Sequence, residues 1–236
     1  MKLVTKEISY QLDGQNYIGY FAAPVGTEKK PAILLFPDWT GRNKTVCERA
    51  EYFASLGYVA FAADMYGNAK VGNSVEENKA MMMPLMQDRM QLQKRVHAAL
   101  NTIKEMTDVD NHKIAALGFC FGGLCALDLA RSGADVKGVV SLHGLFNPID
   151  NYTPRIKAKV LILHGYNDPM AKPEQIVDFA AEMDAAQVDW QVHFYGNTQH
   201  AFTNPHANNP EMGTVYSELA TKRAFLTCQN FLAEIL

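Results

Sequence analysis

The stretch Ile114-Ala115-Ala116-Leu117-Gly118-Phe119-Cys120-Phe121-Gly122-Gly123 passes without interruption from an apolar run of strand length into the start of a helix. That helix carries Leu124, Leu127 and Ala130 and ends near Gly133. A Gly-x-Cys-x-Gly-Gly turn between strand and helix forces its central residue into a strained conformation, with glycines where a side chain would strike neighbouring backbone. The cysteine is thereby pushed out beyond the strand end. Unpaired N–H groups and the positive dipole end at the helix start favour a thiolate there and an oxyanion beside it. Taken alone, the turn would equally suit a buried structural cysteine, so the rest of the chain decides.

Working outward, AILLF at 32–36 and YVAFAA at 58–63 precede this stretch, and VKGVVSL at 136–142, KVLIL at 159–163 and WQVHFY at 190–195 follow it. All are apolar enough for buried strands. Between them apolar residues recur at helical spacing: Val46, Ala50, Phe53 and Leu56 before Gly57; Leu92, Val96, Leu100 and Ile103; Ile176, Phe179, Ala180 and Met183; Phe225, Cys228 and Leu232. Alternating strands and helices predict an α/β fold, a mostly parallel central sheet with helices on both faces. Ahead of it, Ile8, Tyr10 and Leu12 alternate up to Asp13-Gly14, and Tyr17 to Ala22 resumes the pattern, predicting an N-terminal β-hairpin. Residues 67–84, rich in Gly, Asn, Glu and Met, admit two readings, a lid over a site or the ragged start of a helix. No repeat or low-complexity tract divides the chain, and 1–236 reads as a single domain.

Composition narrows the partners. The chain is 48% apolar and 20% charged with a net charge of −3, and no basic stripe suggests nucleic acid. No apolar stretch has the length of a membrane span or signal peptide, so a cytoplasmic location is expected. Cys47, Cys120, Cys125 and Cys228 match no zinc or disulfide spacing, and no metal or cofactor is expected. Cys47, Cys125 and Cys228 lie among apolar residues as small buried side chains do.

A nucleophile on such a turn needs, later in the chain, a carboxylate and then a histidine, each beyond a strand. Asp168 follows the strand at 159–163 in His164-Gly165-Tyr166-Asn167-Asp168-Pro169, and His200 follows the strand at 190–195 in Gly196-Asn197-Thr198-Gln199-His200-Ala201-Phe202. His143 and His164 also follow strands, and are read as pocket lining or structural histidines. The oxyanion donors of this arrangement are the backbone N–H of Phe121, after the nucleophile, and of Trp39, in the loop after the first core strand.

Gly118-Phe119-Cys120-Phe121-Gly122-Gly123, Asp168 and His200-Ala201-Phe202, with Asp64-Met65-Tyr66 and Asp38-Trp39-Thr40-Gly41, resemble the dienelactone hydrolase family over nearly the whole chain. The resemblance implies the α/β-hydrolase fold and ester or lactone cleavage by a Cys120-His200-Asp168 triad, with Asp38, Tyr66, His143 and Phe202 as substrate-pocket candidates. It also exposes two departures. The family's usual glutamate, implicated in forming the thiolate, is replaced here by the shorter Asp38. The arginines that hold the substrate carboxylate in dienelactone-cleaving members are replaced by Asn68 and Asn204. The expected substrate is therefore a small neutral ester or lactone rather than dienelactone. The competing expectation is a non-catalytic scaffold in which Cys120 senses oxidants or binds a ligand, and a cysteine peptidase is disfavoured.

Overall fold

The computed structural model describes residues 2–150, 152 and 155–236. β1 (Leu3–Leu12) and β2 (Gln15–Pro24) form the expected hairpin, closed by Asp13 and Gly14, both at positive φ. Next come β3 (Lys30–Phe36), α1 (Lys44–Ser55), β4 (Val59–Ala62), α2 (Val75–Gln87), α3 (Arg89–Lys104), β5 (Val109–Phe119) and α4 (Phe121–Arg131). β6 (Gly138–Leu142), β7 (Lys159–Gly165), α5 (Gln175–Ala185), β8 (Trp190–Tyr195), the two-residue strands β9 (Asn208–Asn209) and β10 (Thr214–Val215), and α6 (Glu218–Ile235) complete the chain. The main sheet runs β1-β2-β4-β3-β5-β6-β7-β8, antiparallel at β1-β2 and β2-β4 and parallel elsewhere. The C-terminal ends of β3, β5, β6, β7 and β8 therefore share one edge.

Strand alternation divides the core in two. Leu34 and Phe36 of β3 and Ile162 of β7 face α3, α4 and α5, packing with Val96, Leu127 and Phe179. Ile33, Leu35 and Leu161 face α1 and α6, packing with Phe53, Phe225 and Leu232. These side chains are wholly or almost wholly buried, each worth about 1.5–3 kcal/mol relative to exposure.

Three expectations change in detail. Leu56 is not on the buried stripe of α1: the helix ends at Ser55, and Leu56, at the C-cap, is 43% exposed. β5 begins at Val109, five residues before the apolar run at Ile114, because Val109 pairs with Lys30 across an irregularity in register. Residues 75–84 are helical, capped by Ser74, whose side chain accepts from the Glu77 N–H. Pro84 lies inside that helix, where it can supply no N–H to the Ala80 carbonyl. Among the described residues no helix is long and apolar enough to cross a membrane.

Candidate active site

Cys120 stands between β5 and α4 at φ 54° and ψ −117°, far outside ordinary helix or strand geometry. The neighbouring glycines explain how the chain tolerates this. A Cβ at Gly118 would collide with the Gly122 carbonyl, and one at Gly122 with the carbonyl of Phe36. The turn is pinned to the sheet by Cys120 N–H donating to Leu142 O at 3.0 Å.

Asp168, on the loop after β7, is buried. Its Oδ1 accepts from Met170 N–H at 2.8 Å, and its Oδ2 accepts from His200 Nδ1 at 2.7 Å. That bond fixes the His200 ring with Nε2 as its other polar atom. Nε2 is buried, with no partner of good hydrogen-bond geometry among the described residues, while Cys120 lies close enough to act on it. Burial opposes a charge on His200, but the influence of nearby Cys120 and the hydrogen bond to Asp168 outweigh it and push the imidazole up to about 10. The His200 backbone is held by a segment with no strand pattern of its own. Its N–H donates to Gly213 O at 2.9 Å and its carbonyl accepts from Val215 N–H at 3.1 Å, docking it against the β9-β10 pair.

Cys120 and His200 face one cavity of about 390 Å³, with Asp38, Trp39 and His143 also in its wall. Phe121 N–H, in the first turn of α4, lacks an i−4 helical partner and so is free to meet an oxyanion. Tyr66 is not in the cavity wall. Its hydroxyl donates to Trp39 O at 2.9 Å and its ring stacks on Phe121, 6.3 Å between centroids, so it braces both residues expected to supply oxyanion N–H groups. The Asp64 carboxylate, accepting from the N–H groups of Tyr66, Gly67 and Ala69 at 3.0, 2.9 and 2.7 Å, holds Tyr66 in place. This gives Asp64-Met65-Tyr66 a physical role.

A profile of the family described as "Dienelactone hydrolase family" matches residues 18–236. This chain belongs to the dienelactone hydrolase family. It is 33% identical to a dienelactone hydrolase-like promiscuous phosphotriesterase from metagenomic libraries, whose solved structure superposes with a TM-score of 0.93 over 99% of this chain and 98% of that one. An uncharacterized Caenorhabditis elegans protein is 35% identical over 147 residues, 61% of this chain and 93% of the relative. A probable 2-oxo-3-(5-oxofuran-2-ylidene)propanoate lactonase of Bradyrhizobium is 26% identical over 201 residues, 80% of each chain. The protein is accordingly an α/β-hydrolase acting on esters.

Asp38 is in the cavity wall, but its Oδ1 accepts from Thr40 N–H at 2.9 Å and Thr40 Oγ1 at 2.6 Å, so this carboxylate oxygen braces its own turn. His143 has φ 40°, packs edge-to-face with His200 at 5.3 Å and bonds Thr203 Oγ1 through Nε2 at 2.8 Å. Burial, and then the charge on His200, hold its imidazole neutral, well below the usual histidine range. Phe202 is fully buried behind His143 and is not in the cavity wall. Of the two asparagines that stand for family arginines, Asn204 faces the cavity, whereas Asn68 is outside it, accepting from Asn16 Nδ2 at 3.2 Å. His164 donates from Nε2 to Ala171 O at 2.7 Å, a structural role beside Asp168. Val75, Lys79 and Met82, one face of α2, form part of the cavity wall, so the helical segment also covers the site. Sequence reasoning passed over Arg49, which lines the cavity from α1. Its place one turn after Val46, on the same helix face, was the available signal.

Proposed function

We propose that this dienelactone hydrolase family member, acting as one α/β unit, cleaves small neutral carboxylic esters and lactones through Cys120, His200 and Asp168. The observation carrying this is the His200–Asp168 bond, which orients a ring that shares one cavity with a cysteine held at positive φ on a helix N-terminus. The Cys120 thiolate attacks the carbonyl carbon, and the N–H groups of Trp39 and Phe121 receive the oxyanion. Collapse expels the alkoxide, which takes the proton from His200 Nε2. The now neutral His200 removes a proton from water, which attacks the thioester. The second collapse releases the acid and restores thiolate and imidazolium. Asp168 keeps Nε2 aimed at the reacting atoms throughout.

The cavity wall is mostly apolar, with Val46, Phe119 and Leu145 suited to an alkyl chain. Near Cys120, Asn204 offers no charge to a substrate carboxylate and Asp38 disfavours a second anion, which supports substrates neutral at that end over dienelactone. Rapid mixing with p-nitrophenyl butyrate tests the reading. Wild type is expected to release a burst of p-nitrophenol followed by slower turnover. Cys120→Ala should abolish the burst, and His200→Ala should lower turnover by about 10²–10⁴-fold, the usual contribution of an acid–base group. Wild-type rates in Cys120→Ala would refute it.

A further inference from the structure

Arg49 projects from α1 into the wall of the cavity that holds Cys120, one helical turn from Thr45, which lines the same wall. Its Nη2 donates to Thr203 O at 2.8 Å, and its guanidinium lies 4.7 Å over the Phe225 ring. These contacts fix the side chain and use one of its five N–H donors. No carboxylate neutralises it among the described residues. Glu48, the one that influences it, is paired with Lys44 at 3.3 Å. A guanidinium partly withdrawn from water, with donors unspent, in a wall that is otherwise mostly apolar, is a recognition group without its partner.

We infer that Arg49 is a specificity-determining residue, donating to an oxygen acceptor on the part of the substrate remote from the scissile carbonyl. This rests on the hydrolase reading above and extends it: the preferred ester or lactone carries an apolar body and a second oxygen, such as a ketone or ether, at the α1 end of the cavity. Lys79, exposed on α2 in the same wall, adds positive potential on that side, which the adipic acid monoester below is chosen to probe.

The test compares p-nitrophenyl hexanoate with p-nitrophenyl 5-oxohexanoate, which differ by one carbonyl oxygen. In wild type the oxo ester is expected to lead in kcat/KM by at least about tenfold, the size of one hydrogen bond to a charged donor. In Arg49→Met the lead should disappear, and in Arg49→Lys it should be partly kept. Because Arg49 also tethers the Thr203 loop, a purely structural effect would slow both esters alike and leave their ratio unchanged. If Arg49→Met is not recovered folded, Arg49→Gln, which can still donate to the Thr203 carbonyl, replaces it. A ratio near one in wild type, or a ratio unmoved by the substitution, overturns the inference. The mono-p-nitrophenyl ester of adipic acid is run alongside. A lead for it that vanishes in Arg49→Met would uphold Arg49 as the contact and overturn the neutral-substrate preference. Persistence of hydrolysis in Cys120→Ala would overturn the mechanism instead.

Discussion

At the scale of the residue, the proposed chemistry depends on where protons sit around His200. Cys120 on one side and Asp168 on the other keep its imidazole charged against the pull of burial, to about 10 rather than its ordinary 6.5. Since the folded value is the higher one, this proton's contribution to stability is complete below about pH 6.5 and is lost as the pH rises through about 10. NMR of the ring protons should show His200 titrating near 10, and its midpoint should fall in Cys120→Ala, where the raising influence of the thiol group is gone. A midpoint near 6.5 in both proteins would contradict the ion pair. Cys120, Asp168 and His200 were legible in the sequence because each lies in a short loop after an apolar strand, where chain order constrains position. Tyr66 and Phe202 were misplaced as pocket residues. A family motif marks that a residue is needed, but whether its side chain faces the cavity or braces a neighbour depends on packing from distant elements, here Trp39 and His143.

Among the elements, α4 carries the nucleophile at its N-terminus and an ion cluster near its other end. Asp128 is fully buried and accepts from Arg89 Nε at 2.7 Å and Arg131 Nη1 at 3.2 Å, while Arg131 also binds Glu182 of α5 at 2.7 Å. The same arginines donate to the carbonyls of Phe146 and Asn147, joining α3, α4, α5 and the loop after β6. Removing one partner leaves buried charges uncompensated, so Asp128→Ala should cost about 3–5 kcal/mol in urea unfolding. A loss below about 1 kcal/mol, the worth of an exposed pair, would show that the cluster holds nothing together. Sequence periodicity located the strands and long helices well, because burial writes a repeat of two or 3.6 residues into the chain. It did not resolve 67–84, where Pro84 and three successive methionines blur the pattern, nor the two-residue strands β9 and β10, which are too short to have one. Those unread pieces form the wall and the backbone support of the candidate site.

For the whole molecule, the sheet order is what brings distant residues together. β5, β7 and β8 are parallel and end at one edge, so the loops bearing Cys120, Asp168 and His200 meet there, and α1, α2 and the segment after His200 enclose the cavity above them. The alternation of strand and helix made this architecture readable from the sequence. The enclosing wall, with Arg49 in it, was not, because it depends on how far α1 and α2 lean over the edge. The most direct check is to quench the protein with acid during turnover of p-nitrophenyl butyrate and map the adduct by peptide mass spectrometry. With Cys120 as the nucleophile, one butyryl group is expected, on Cys120, absent from Cys120→Ala. An acyl group on any other residue, or turnover of the ester with none trapped on Cys120, would contradict it.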